Sequence, residues 1–244
     1  MMTRPTAGTL FTVYQLLASF VVLPISFMLW SAHFGGRRDL ALVVVAIPVL
    51  FGYIIPGIGT NLLGLWEFKA GLHFGRYTLF HGLMFGGASS FLAYTCSPIM
   101  SGSGFRHMLA SAHVMAAVIG FWNWVFDGYA IRTGLAVIYN KPHFEGRSAA
   151  EIVGDYAPVY FGAFGACFGT GIHLLGNWDT DGSTGLIWPA AGVCAFLSMG
   201  LPVVAHCIWS LLRHGYSGLR PYSDGSGRPG GASAITGTLR KEDA

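Results

Sequence analysis

The chain has 244 residues, of which 53% are hydrophobic and only 10% charged, with a mean hydropathy of +0.54; an average soluble domain carries about 25% charged residues. That composition excludes an ordinary soluble domain and predicts an all-α integral membrane helical bundle. The net charge of +3 is small, and its basic residues sit at the edges of apolar stretches rather than in a stripe, which excludes a nucleic-acid-binding surface.

A helix needs about 20 mostly apolar residues to cross a bilayer. Six stretches meet that need: Leu10–Ser31, Leu40–Leu65, Tyr77–Ile99, Met108–Ile131, Ile152–Leu175 and Leu186–Leu212. They predict one six-helix transmembrane domain over residues 1–215, followed by a flexible tail rich in Gly, Ser and Pro over residues 216–244. With six spans, Arg37, Arg38 and Arg106 fall on one side and all other Lys and Arg residues on the other. The positive-inside rule then puts both termini in the cytoplasm, in a bacterial inner membrane. The first apolar run has no small-residue cleavage site and reads as an anchor. Cys96, Cys167, Cys194 and Cys207 stand singly on four spans and read as packing residues. The expected partners are the lipid bilayer, a small apolar substrate and further copies of the chain in a homo-oligomer.

Span one carries Gln15 and a kinking Pro24, and reads as an outer, lipid-facing helix. Span two ends in GYIIPGIGTNLLGLWEFK, where Pro56 and the glycines should bend or break the helix against protein or a cavity. Glu67, beside Trp66 at the interface, either pairs with Lys69 or Arg76 or orients a ligand at the mouth of the bundle. Span three, Tyr77–Ile99, follows Arg76 and carries His81, five residues after that arginine, in an uncharged, glycine-studded helix. An ionisable side chain inside a membrane is costly and usually serves a partner, cavity or cofactor.

Span four carries the most polar chemistry. His113, Gly120, Asn123 and Asp127 share one helical face, which predicts that this face looks into the bundle. Asp127 is either a functional carboxyl or the partner of Arg132 at the span end. Trp122 and Tyr129 form an adjacent aromatic stripe. The Arg132–Ala150 loop, with Tyr139, Asn140, His143 and Glu145, is long for a compact bundle. In span five, Asp155, Pro158 and Gly162 share a face, and Gly162, Gly165 and Gly169 allow a close neighbour. NWDTDGSTG, with Asp179 and Asp181, has only a fragment of a calcium-loop pattern. His206 in span six reads as a packing histidine.

No HExxH, P-loop or GxSxG motif is present, nor the histidine boxes of membrane di-iron hydroxylases. Single histidines on separate helices among glycines and aromatics suit heme ligation, and suit hydrogen-bonded packing equally. Phe74-Gly75-Arg76 followed by His81 resembles the heme-ligating helix of heme-copper oxidases and nitric oxide reductases. A full oxidase is excluded, because no histidine cluster for copper accompanies it.

Spans two to five resemble the styrene oxide isomerases, through GYIIP at Gly52–Pro56, His73-Phe-Gly75, His81-Gly82-Leu83-Met84, Gly120-Phe-Trp122-Asn123 with Asp127 and Tyr129, Arg132-Thr-Gly134-Leu135, and Ala157-Pro158-Val-Tyr160-Phe-Gly162. This resemblance implies heme b acting as a Lewis acid that rearranges an epoxide to a carbonyl compound. It implies His81 or His73 as the iron ligand, with membrane depth favouring His81 and Arg76 nearby. Asn123 or Tyr129 would orient the oxygen, with Asp127 in the same site. The spacing departs from the family, whose HxG segment is followed by an asparagine-glycine pair where this chain has His81-Gly82, and spans one and six are additions. A non-catalytic heme subunit, with His113 as sixth ligand, and a cofactor-free structural subunit are the rival expectations. Trp66-Glu67 and Phe74-Gly75-Arg76-Tyr77 also resemble the bacteriochlorophyllide vinyl hydratases, which would make Glu67 an acid–base group.

Overall fold

A computed structural model describes residues 4–178 and 187–223 of the chain; Asp179 and Asp181, and the tail beyond residue 223, lie outside them. Five helical runs are long and apolar enough to cross a membrane: Thr6–His33, Arg38–Leu62, Phe105–Arg132, Ala157–Asn177 and Ile187–His214. The sixth expected span is a helix of 20 residues, His81–Met100, less apolar because glycine, serine, threonine and tyrosine interrupt it. The protein is therefore an all-α, multi-pass membrane bundle.

The first run is built from α1 (Arg4–Leu17), a π-helical turn over Ala18–Val22 and α2 (Leu23–His33). Pro24 stands at the start of α2, where the wider turn before it absorbs the missing N–H. This run is not wholly an outer helix. Leu10, Val13, Leu17 and Phe20 are exposed, while Phe11, Gln15, Ala18 and Ser19 are buried. The opposite faces follow from helical periodicity.

Helix α3 (Arg38–Gly57) starts beside a two-pronged Arg37–Asp39 ion pair and ends in a second π-helical turn, Ile58–Leu62. Pro56 has no N–H to give the carbonyl of Gly52 one turn earlier. The hydroxyl of Tyr77 donates to that carbonyl instead. Tyr77 belongs to a hairpin of β2 (His73–Phe74) and β3 (Tyr77–Thr78), which follows β1 (Trp66–Phe68). The hairpin turns at Gly75, whose φ is +67°, and Asn61 Oδ1 accepts the Arg76 amide at 2.8 Å. The expected third span is corrected accordingly. The Phe74-Gly75-Arg76 segment is a β-turn, and the helix α4 (His81–Met100) begins only at His81.

Helix α5 (Phe105–Arg132) leads to β4 (Ala136–Ile138), which pairs antiparallel with β1, Trp66 opposite Ile138 and Phe68 opposite Ala136. Two short helices follow, α6 (Lys141–Phe144) and α7 (Ala149–Gly154), the second opened by a Ser148/Glu151 capping box. The long loop is thus structured. Helices α8 (Ala157–Trp178) and α9 (Ile187–His214) complete the bundle. The tail does not become loose at residue 216: the Tyr222 amide donates to the Tyr139 carbonyl at 2.9 Å, and Tyr222 packs on Phe144 and Tyr216.

The core runs through Phe51, Phe85, Phe164 and Phe168, with Met115 and Ile119 of α5. Between α5 and α8 the backbones nearly touch. A Cβ on Gly165 would stand 2.2 Å from the Met115 carbonyl oxygen, and one on Gly169 2.4 Å from that of Ser111. Without a hydrophobic drive between helices in lipid, such close backbone packing holds them together.

Replacing Gly165 with Val should lower stability by about 1–3 kcal/mol, the usual cost of overpacking, read as a fall in the thermal midpoint in detergent. Gly192, around which a Cβ meets nothing within 4 Å, supplies the control, and Gly192→Ala should leave the midpoint unchanged.

Candidate functional site

Next to the β1–β4 ribbon the bundle holds a partly open cavity of about 70 Å³, walled by aromatic side chains that include Trp66, Phe68, Phe85, Trp122, Phe126 and Phe161. Four polar residues line it that matter chemically: His81, Asn123, Asp127 and Tyr160, with Tyr156 and Tyr14 beside them. The first three are expected site residues, brought together from α4 and α5.

Asp127 accepts a hydrogen bond from the Tyr156 hydroxyl, 2.6 Å to Oδ2. No cation pairs with it among the described residues; the Arg132 pairing weighed from sequence does not form. Asn123 is buried and donates from Nδ2 to the Ile119 carbonyl at 2.8 Å, which leaves its Oδ1 and second N–H available. The His81 ring packs between Phe68, centroids 5.1 Å apart, and Tyr77, at 5.4 Å. Its Nδ1 is buried with no hydrogen-bond partner among the described residues, and so is the hydroxyl of Tyr160. Each such atom costs about 1–3 kcal/mol until a water or ligand atom meets it.

The other expected residues lie elsewhere. His73 is exposed on the hairpin, its Nε2 3.0 Å from the Phe68 carbonyl oxygen, and Arg76 is exposed at the turn. Tyr129 is 38% exposed and does not line the cavity. His113 is exposed, with Nδ1 2.7 Å from the Leu109 carbonyl oxygen of its own helix. At that level α8 packs against Ser111 and Met115, so the stripe's upper end points away from the bundle and only its lower half, Asn123 and Asp127, reaches the site. Tyr14, Tyr156 and Tyr160 were not singled out as site residues from sequence. Tyr156, following Asp155 at the start of an apolar run, was the one local signal.

Glu67 faces away from the cavity, as strand alternation requires between inward Trp66 and Phe68. It binds Lys69 and accepts from the Tyr139 hydroxyl at 2.5 Å. Burial pushes its carboxyl up, but the hydrogen bonds from Lys69 and Tyr139 and the charges of Lys69 and Arg76 outweigh it and hold the group below its usual value. Burial, reinforced by Glu67, pushes Tyr139 up to about 12. Glu67 is a clasp on the ribbon and not an acid–base group of the cavity.

A heme does not fit these residues. A cavity of about 150 Å³ takes one benzene, and the space beside His81 is about 70 Å³, far too little for a porphyrin. Among the described residues no Lys or Arg lines it to meet propionates. Among the described residues no group of three or more His, Cys, Asp or Glu comes together to hold a metal ion. Comparison with protein-family models, with curated proteins and with solved structures returns no match for this chain.

Because the folded Glu67 carboxyl titrates below its ordinary value of 4.5, its stabilisation is fully present above that value and is lost as pH falls through the lower folded one. Thermal midpoints of the parent should therefore drop on acidification below about pH 4.5, and in Glu67→Gln that part of the drop should vanish.

Proposed function

We propose that the protein is a membrane-embedded acid–base isomerase that rearranges a small apolar epoxide to a carbonyl compound. One observation carries this reading: a single carboxyl, Asp127, held by Tyr156 and paired with no cation among the described residues, lines a largely apolar, aromatic-rich cavity. The cavity's size limits the substrate to a compact one that arrives from the lipid.

In this reading the Asp127 carboxylic acid gives its proton to the epoxide oxygen as one C–O bond breaks. The resulting carbocation lies against the faces of Trp122 and Phe126, where the ring quadrupole attracts positive charge. Asn123 holds the oxygen through its free N–H. A hydride moves from the neighbouring carbon to the cationic one, the C–O bond becomes a carbonyl, and its proton returns to Asp127. Atoms and charge balance within the substrate, with no redox partner. Tyr156 holds one carboxyl oxygen and leaves the other for the substrate, the carboxyl turning about its Cβ–Cγ bond to present its protonated oxygen.

A second reading, hydration of a small alkene by the same acid, is favoured by the two unpaired buried polar atoms, His81 Nδ1 and Tyr160 Oη, each a place for the attacking water. The distribution of basic residues supports an orientation with the β1–β4 ribbon on the cytoplasmic side.

Purified protein in detergent, given small alkyl epoxides, should form the isomeric aldehyde or ketone, scored by gas chromatography. Asp127→Asn should lower kcat at least about 100-fold, in line with loss of a general acid, with the fold intact by circular dichroism. Oxygen-18 appearing in an alcohol formed from an alkene would favour hydration. Activity that persists in Asp127→Asn, or that tracks a Soret absorption band, would overturn the acid–base reading.

A further inference from the structure

A second, outer chamber of about 50 Å³ lies against the cavity, lined by Tyr139, Asn140, Tyr156, His206, Tyr216 and Arg220. The two spaces share three wall residues, Trp66, Ile138 and Tyr156. Of these only Tyr156 carries a hydroxyl, and that hydroxyl is bonded to Asp127. Where the inner wall is mainly aromatic, the outer chamber sets Tyr139, Asn140, Tyr156, His206 and Arg220 among apolar Leu65, Trp66 and Ile138, and Arg220 is exposed. At about 10–15 Å³ per probe-sized water, it has room for a few waters.

The chamber's polar lining is not self-satisfied. His206 Nδ1 is buried with no hydrogen-bond partner among the described residues, and its Nε2 lies close against Gly218, where a Cβ would stand 2.7 Å from it. Asp155, by contrast, is fully engaged: His214 Nε2 lies 2.6 Å and Arg213 3.4 Å from Oδ1, and Asn140 donates to Oδ2 at 3.1 Å. Asp155 and His214 lie within electrostatic range of His206, and the Tyr160 ring packs on His206, centroids 6.1 Å apart. Buried polar atoms without protein partners are usually met by ordered water, so the open position at His206 marks a water site.

We propose that this chamber is a water-filled proton antechamber and that Tyr156 relays protons between its water and Asp127. The inference rests on Asp127 as the reacting acid. A proton from chamber water bonds to a lone pair of the Tyr156 oxygen as the existing O–H bond breaks toward Asp127 Oδ2. Asp127 becomes neutral, Tyr156 keeps one proton, and the water's deficit is made good from the aqueous face. The route sets the charge of Asp127 at the start of a turnover without opening the apolar cavity to solvent. Tyr156 is a positioning residue in this role, since it touches the acid and not the substrate.

The test reads proton exchange directly and needs no substrate. On transfer of the full-length protein from water to deuterium oxide, the infrared carboxylic C=O band of Asp127, identified as the one missing in Asp127→Asn, should shift as its proton exchanges. Tyr156→Phe, which keeps the ring, should slow that shift at least tenfold. His206→Leu, which removes the open imidazole from the chamber wall, should slow it too. Gly192→Ala, at a position that lines neither space, should not. Exchange as fast in Tyr156→Phe as in the parent would overturn the proposal, and so would the absence of any carboxylic band that depends on Asp127. Loss of turnover in Asp127→Asn with unslowed exchange in Tyr156→Phe would overturn the relay alone and leave the isomerase reading standing.

Discussion

The carbonyl of Gly52 is the point on which this architecture turns. Pro56 strips it of its helical hydrogen bond at a depth where no bulk water can replace it, and an unpaired backbone oxygen in that setting costs as much as a lost fold contact. The Tyr77 hydroxyl fills the position. Doing so pins the β2–β3 hairpin to α3, and it fixes where α4 starts. His81, four residues after Tyr77 and packed on its ring at 5.4 Å, consequently opens the helix beside the cavity instead of lying a turn deeper. Glycines complete the same junction: a Cβ on Gly52 would meet the Gly82 Cα at 2.9 Å, so α3 and α4 cross with almost nothing between them.

The other half of the site is placed by α5 and α8. Their contact is backbone on side-chain-free backbone at Gly165 and Gly169, with Gly120 and Gly162 facing one another farther along. Because the two helices meet so closely, the bulky residues are displaced to either side of the contact line, and Trp122, Phe126 and Phe161 wall a void rather than fill a seam. The ribbon of β1 and β4 closes the void from the membrane face. Its alternation sends Trp66 and Phe68 inward and Glu67 outward, which is why the charged clasp and the apolar wall come from adjacent residues.

Apolar length and the cost of membrane ionisable groups made most of the bundle legible in the sequence. The runs on either side of the hairpin, His81 as a residue needing an explanation, and Asn123 and Asp127 on one helical face all follow from those two arguments. The hairpin did not, because Phe74, Tyr77, Leu79 and Phe80 read as the beginning of an apolar helix while the structure uses the positive φ of Gly75 and the side chain of Asn61 to reverse the chain. His113 shares a helical face with Asp127, yet periodicity says nothing about how far along the helix a neighbour extends. Tyr156 and Tyr160 were hidden for a related reason: a tyrosine at a span end is an ordinary interfacial residue, and only the fold shows that one of them bonds a carboxyl from another helix.

Two carboxylates, Asp155 and Asp127, show what would separate a structural acid from the reacting one of the proposed isomerase. Asp155 is wrapped by His214, Arg213 and Asn140, and its backbone carbonyl accepts the Trp209 indole at 2.9 Å, so its oxygens tie the junction of α7 and α8 to α9 and to the start of α6. Such a group is fixed, because removing any partner leaves a buried charge uncompensated. Asp127 has one neutral donor on one oxygen and aromatic rings around the rest. Its second oxygen has no protein partner to compete with a substrate, and that difference in environment, not the identity of the side chain, is what favours Asp127 over Asp155 for the proposed acid.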